Sequence, residues 1–122
     1  MTTTVPISLE GRTILLVEDE YFIVEDMVRA LRASGAGIVG PVASVDDALD
    51  LIGTTGHLDG AVLDINLRGE MAFPVADALI EREVPFVFAT GYDEATIPPR
   101  YAHVTRCEKP VDPDRIARAL FG

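Results

Sequence analysis

Short apolar runs that stop at a polar side chain constrain this chain more than any other feature. In Gly60-Ala61-Val62-Leu63-Asp64 the run ends in a carboxylate. Thr13-Ile14-Leu15-Leu16-Val17 runs into Glu18-Asp19-Glu20, and Pro85-Phe86-Val87-Phe88-Ala89 ends at Thr90. Runs of this length bounded by polar residues are the pattern of strands buried in a parallel sheet. A polar side chain at the carboxyl end of such a strand stands where open α/β sheets bind their ligands. Two weaker runs complete the set. Ile38-Val39-Gly40-Pro41-Val42 carries a Gly and a Pro that suit an edge strand. His103-Val104-Thr105-Arg106-Cys107 is mixed enough to be an edge as well, and Lys109-Pro110 ends it.

Helical periodicity fills the intervals. Val24, Met27, Val28 and Leu31 share one face, with acidic residues expected in the first turn and Gly35 and Gly37 marking the end. Ser44 with Asp47 is a capping-box variant that starts a helix bearing Val45, Ala48, Leu49 and Ile52. Pro74 suits the first turn of a helix whose face is Val75, Ala76, Leu79 and Ile80. Asp112 as N-cap and Pro113 as first residue start the last helix, with Ile116, Ala119 and Leu120 on its face. Residues 65 to 73 read as a loop. Residues 94 to 103, with Pro98-Pro99 and little periodicity, predict a short or irregular helix. Strands alternating with helices demand a mainly parallel sheet covered on both faces, an α/β domain over 12–122 with 1–11 as a polar lead-in.

The 122 residues suit one domain, and 48% hydrophobic with 25% charged is globular composition. The net charge of −10 argues against nucleic acid as a partner, since phosphate binding needs clustered Lys and Arg. It suits an acidic site that holds a divalent cation, and equally a merely soluble surface. No apolar run approaches the roughly 20 residues of a membrane span, and the N-terminus lacks the features of a signal peptide. Cys107 is the lone cysteine, which excludes an internal disulfide and points to the cytoplasm. A small-hydrophobe role suits it. His57 and His103 have no partner at ligand spacing and read as surface residues.

Right-handed crossovers bring the strand ends to one edge. That edge then collects Glu18, Asp19, Asp64, Thr90 and Lys109. Each has an ordinary reading by itself: helix-start acids, a turn Asp, a strand-end Thr and a solvated Lys. Their coincidence on one edge has a chemical reading instead. Clustered carboxylates repel unless a proton or cation joins them, and oxygen ligands with retained water suit Mg²⁺. A carboxylate beside a divalent ion is the arrangement that forms an aspartyl-phosphate. A Lys ammonium and a Thr hydroxyl then serve the phosphoryl oxygens.

These pieces, Leu15-Leu16-Val17-Glu18-Asp19-Glu20, Val62-Leu63-Asp64, Thr90 and Lys109-Pro110, resemble the receiver domain of two-component response regulators over residues 12 to 121. Phe86-Val87-Phe88-Ala89-Thr90-Gly91-Tyr92 and Asp64-Ile65-Asn66-Leu67-Arg68-Gly69 are similar to the single-domain subfamily with a Phe-Ala-Thr-Gly-Tyr signature. The resemblance implies a flavodoxin-like (βα)5 fold with strand order 2-1-3-4-5. It implies Asp64 as phosphoacceptor and Mg²⁺, with Mn²⁺ as a substitute, held by Glu18, Asp19, Asp64 and the backbone carbonyl of Asn66. Thr90 and Lys109 would bind the phosphoryl group, the bond before Pro110 would be cis, and Asn66 and Tyr92 would tune dephosphorylation. Its implied partners are a sensor histidine kinase and a phosphotransfer or effector protein, with no nucleic acid and no membrane, and the chain a monomer or weak dimer.

Two departures accompany it. Arg106 stands where many receivers place an aromatic switch residue, so Tyr92 and the segment 93 to 103 are expected to take over switching. Glu18 replaces an Asp, which lengthens the reach and leaves direct ligation to Asp19. Two other readings remain open. A phosphatase of the haloacid dehalogenase type would need an Asp two residues after the nucleophile, where Asn66 stands. An interaction module that has lost the switch would fail to bind Mg²⁺.

Overall fold

The computed structural model describes residues 7–91 and 97–122. In chain order its elements are β1 (Thr13–Val17), α1 (Tyr21–Ala33), β2 (Gly37–Val42), α2 (Val45–Thr54), β3 (Gly60–Asp64), β4 (Asn66–Leu67), β5 (Glu70–Met71), α3 (Phe73–Glu81), β6 (Phe86–Thr90), a 3₁₀ turn (Pro99–Tyr101), β7 (Arg106–Glu108) and α4 (Pro113–Phe121). Five strands form one sheet in the order β2-β1-β3-β6-β7, with every pairing parallel. This is the flavodoxin-like arrangement expected of the sequence, with β3 at the centre and buried at every residue.

Register does the positioning. Val17 pairs with Leu63, so Glu18 comes abreast of Asp64. Asp64 pairs with Ala89, so Thr90 stands one step beyond it. Thr90 pairs with Glu108, so Lys109 follows at the same edge. A one-residue slip in any of these pairs would send a core side chain to the wrong face, and burial on both faces forbids it.

The period-2 alternation of strand side chains splits the core into two layers. Leu15, Val17, Ala61, Leu63, Phe86 and Phe88 pack with α2 and α3, against Val45, Ala48, Val75 and Leu79. Ile14, Leu16, Val62, Val87 and Ala89 pack with α1 and α4, against Met27, Leu31, Ile116 and Ala117. Phe86 and Phe88 therefore share one face, ring edge to ring face with centroids 5.5 Å apart. The caps expected of the sequence are present: Ser44 Oγ accepts from the Asp47 N–H at 3.1 Å, and an Asp112 carboxylate oxygen accepts from the Asp114 N–H at 3.0 Å.

Several sequence expectations are corrected. The acids Glu18 to Glu20 precede α1, whose first turn has none, and Glu20 at the N-cap makes no side-chain cap bond. Ile80 lies on the flank of the α3 stripe and is 41% exposed. The last strand is shorter than the run His103–Cys107 suggests, because the Val104 N–H donates to the Tyr101 carbonyl at 2.9 Å and commits that stretch to a turn. Leu9, in the polar lead-in, is buried: Gly11 at φ +77 and a bond from the Arg12 N–H to the Leu9 carbonyl fold it back onto the core. The loop expected at 65 to 73 contains an antiparallel hairpin, β4 with β5. Within the expected irregular stretch, the described residues hold a single 3₁₀ turn, and its Tyr101 is buried. Arg106 leaves the usual aromatic position empty of a ring. Tyr101 instead stacks on Phe73 with centroids 5.1 Å apart and meets Phe88 edge-on at 5.9 Å.

Candidate functional site

At the carboxyl edge of the sheet the chain reverses from each strand into the next connection, and a cleft of about 310 Å³ opens. Asp19, Glu20, Asp64, Asn66, Arg68, Thr90 and Lys109 contribute to its lining. The residues selected from sequence, Glu18, Asp19, Asp64, Thr90 and Lys109, do converge here, drawn from β1, β3, β6 and β7 by the register just described. Asn66 stands at the rim as the first residue of β4. The Lys109–Pro110 peptide is cis, as expected. Tyr92 lies outside the described residues.

Lys109 is the electrostatic hub. Its Nζ lies 2.9 Å from Asp64 Oδ2, 2.9 Å from Glu18 Oε1 and 3.8 Å from Glu20 Oε1. Burial disfavours the ammonium, but hydrogen bonds to Glu18 and Asp64 outweigh it and hold Lys109 above its ordinary pKa. One cation cannot neutralise both buried carboxylates. Glu18, 2% exposed, is pushed up to about 8, chiefly by burial and then by its hydrogen bond with Asp64, with Lys109 pulling the other way. Glu18 Oε2 is the buried side-chain oxygen with no partner among the described residues. Such an atom needs a proton or a cation, since a bare buried carboxylate oxygen is costly.

The donor set for a cation is close by. Carboxylate oxygens of Glu18, Asp19 and Glu20 come within 4.8 Å of one another. Hard oxygen donors of this kind, opening on a wet cleft, fit a small divalent ion that keeps several waters. The sequence places Glu20 in the acidic motif but not among the expected ligands; here it joins Glu18 and Asp19 in the cluster. Thr90 is 3% exposed, and among the described residues its hydroxyl makes a single long 3.5 Å bond, to the Cys107 carbonyl.

The hairpin after β3 was illegible in the sequence. Its Arg68 N–H donates to Asp19 Oδ2 at 2.8 Å. Asn66 uses its side-chain oxygen to accept from the Gly69 N–H at 2.8 Å, and its backbone N–H donates to Asp64 Oδ1 at 3.3 Å. An Arg-Gly pair between two short segments was the available sign, weaker than the Asn-Gly or Asp-Gly that usually marks such turns.

A parallel sheet in this order, with an Asp at the end of its central strand flanked by an acidic pair, a Thr and a Lys, is the architecture of a response-regulator receiver. No family model and no curated protein matches the sequence. Solved structures do match. SdrG from Sphingomonas melonis Fr1 is 40% identical, with 89% of this chain and 92% of that chain covered and a TM-score of 0.78. The BeF3-activated conformation of SdrG from Pseudomonas melonis Fr1 is 39% identical, covering 88% and 92%, with a TM-score of 0.72. A response regulator receiver protein from Sinorhizobium medicae WSM419 is 26% identical, covering 93% and 94%, with a TM-score of 0.73. The chain belongs to the response-regulator receiver family of two-component signalling. Among the described residues, no helix is long and apolar enough to cross a membrane.

Proposed function

We propose that this protein is a phosphoryl-accepting switch, with Asp64 taking the phosphoryl group from a phosphohistidine of a sensor kinase. The observation that carries the reading is the triangle of Lys109, Asp64 and Glu18, with an orphaned Glu18 oxygen at its back. In the transfer, a carboxylate oxygen of Asp64 forms the new P–O bond as the P–N bond to imidazole breaks, and the leaving imidazole nitrogen keeps the electron pair. Lys109 is already placed against Asp64 and stays charged, so it pairs with the phosphoryl oxygens without a proton transfer. Thr90 has little to give up when its hydroxyl turns toward a new acceptor, since its present bond is long.

Glu18, Asp19, Asp64 and the Asn66 backbone carbonyl would hold Mg²⁺ (or Mn²⁺). Bound there, the ion would neutralise charge that accumulates on the phosphoryl oxygens during transfer. The same positive charge would satisfy Glu18 Oε2. The likeness to SdrG, for which a BeF3-activated conformation is known, supports the reading, because beryllium fluoride on a carboxylate has the shape and charge of a phosphoryl group. Output then runs through protein partners, either an effector that reads the modified surface or a phosphotransfer protein that removes the phosphate. Phosphate-ester turnover is disfavoured, because Asn66 offers no titratable group and its side-chain oxygen is engaged by Gly69.

Intact-protein mass spectrometry after incubation with acetyl phosphate tests the proposal. The expected result is a Mg²⁺-dependent, acid-stable and base-labile phosphoryl adduct that is absent from Asp64→Asn. An adduct that persists in Asp64→Asn would move the acceptor elsewhere. No adduct from either acetyl phosphate or a kinase, together with no Mg²⁺ binding, would make the domain an unmodified interaction module.

A further inference from the structure

The turn between β4 and β5 reaches across the mouth of the cleft to the acidic loop. Asn66 pairs with Met71 and Leu67 with Glu70, leaving Arg68 and Gly69 as a two-residue connection. Both turn residues are left-handed, Arg68 at φ 54 and Gly69 at φ 87, which is the combination of a type I′ hairpin turn. So short a ribbon would be marginal by itself. It is pinned from below by Leu67, 2% exposed in the α2/α3 core layer, and closed behind by the Ala72 N–H donating to the Ile65 carbonyl at 2.7 Å. Its outer end is thereby held rigidly, and that end donates the Arg68 N–H to Asp19 Oδ2 at 2.8 Å.

We propose that the Arg68-Gly69 turn is a positioning element for the cation site, holding Asp19 by one carboxylate oxygen so that the other is presented to the ion. The inference rests on the reading that Glu18, Asp19 and Asp64 take Mg²⁺. A backbone N–H suits this task better than a side chain, because it cannot swing away and adds no net charge that would oppose a cation. The same turn orients Asn66 by engaging its side-chain oxygen with the Gly69 N–H, and the Asn66 N–H reaches Asp64 Oδ1. The turn therefore touches two of the proposed ligand residues directly and reaches Asp64 through Asn66. Partners that orient metal ligands from the outer shell typically change affinity by about 10- to 100-fold when lost.

Gly69 isolates the effect. A Cβ added there would meet nothing within 4 Å, so Gly69→Ala acts chiefly through the backbone. Val resists positive φ, Ala resists it less, and Asn tolerates it. Mg²⁺ affinity of the full chain is measured by two-dimensional NMR titration for wild type, Gly69→Asn, Gly69→Ala and Gly69→Val, with thermal unfolding in EDTA alongside. Wild type and Gly69→Asn are expected to bind alike. Gly69→Ala is weaker, and Gly69→Val is weaker by about tenfold or more, while the metal-free unfolding midpoints differ little. Should Gly69→Val fail to fold, the contrast of Gly69→Ala with Gly69→Asn carries the test. Unchanged affinity in a variant whose hairpin amide signals have moved overturns the proposal, as does equal loss in Gly69→Asn and Gly69→Ala. Absence of binding by the wild type overturns the cation reading itself and is recognisable without any substitution.

Discussion

Lys109 Nζ sits midway between two buried carboxylates, 2.9 Å from Asp64 Oδ2 and 2.9 Å from Glu18 Oε1, although the three residues come from different strand ends. The side chains of Lys109, Asp64 and Glu18 are 8%, 9% and 1% exposed, so solvent screens this cluster weakly. Replacing Lys109 by Met removes the cation and keeps the volume. The expected cost is on the order of 3 kcal/mol near neutral pH, because buried charge is left uncompensated. Urea unfolding measures it, and the loss should shrink as pH falls and the carboxylates take up protons.

Glu18 makes the metal-free protein pH-sensitive. Its carboxyl titrates at 4.5 when unfolded and at about 8 when folded. Between those values the folded state holds a proton that the unfolded state has released, so stability falls as pH rises through this window and levels off above it. In EDTA, the wild-type urea midpoint should decline from about pH 5 to pH 8, and Glu18→Gln should decline less. Parallel curves for the two proteins would exclude Glu18 as the source. If Mg²⁺ binds as proposed, it would displace that proton, and its affinity should tighten over the same range.

Tyr101 packs between Phe73 at the start of α3 and Phe88 of β6. Its hydroxyl donates to Asp77 Oδ1 at 2.5 Å and also lies 3.3 Å from the Phe73 carbonyl. The Tyr101 phenol is held above its ordinary pKa by burial and by the neighbouring Asp77, so it stays a donor well into alkaline pH. Tyr101→Phe should cost about 1 kcal/mol, since Asp77 is half-exposed and recovers water, whereas Tyr101→Ala should cost about 3 to 5 kcal/mol through the cavity it leaves. Chemical denaturation distinguishes them. Equal losses would mean that the hydroxyl, not the ring, holds the turn in place.

Gly60 leaves little room for a side chain. A Cβ there would come within 2.7 Å of Leu120 Cδ1 and 3.4 Å of the Pro85 carbonyl. Gly60→Ala should destabilise by about 1 kcal/mol, the low end for overpacking, because Leu120 is half-buried near the end of α4 and has room to turn. The double variant with Leu120→Ala should show less than the sum of the two single losses, as expected for coupled neighbours. Additive losses would show that Leu120 is not what opposes a Cβ at Gly60.

Local pattern carried most of the fold. The apolar runs before Glu18, Asp64 and Thr90, and the caps at Ser44 and Asp112, are short-range signals, and each became the element it predicted. What escaped was set by distant partners. Leu9 looks like part of a polar lead-in until Gly11 turns it back onto the core. Tyr101 sits in a stretch without periodicity, and its burial depends on Phe73, Asp77 and Phe88.

By itself the sequence determined the alternation of buried strands with amphipathic helices, and with it the gathering of Glu18, Asp19, Asp64, Thr90 and Lys109 at one edge, because parallel crossovers of fixed hand leave their strand ends no other place. Tertiary structure alone decided how those groups share charge. It set Lys109 between two carboxylates, left one Glu18 oxygen without a partner among the described residues, and brought the Arg68 N–H onto Asp19. These are matters of ångström-scale distance and desolvation between residues far apart in the chain, and no local pattern of residue types encodes either.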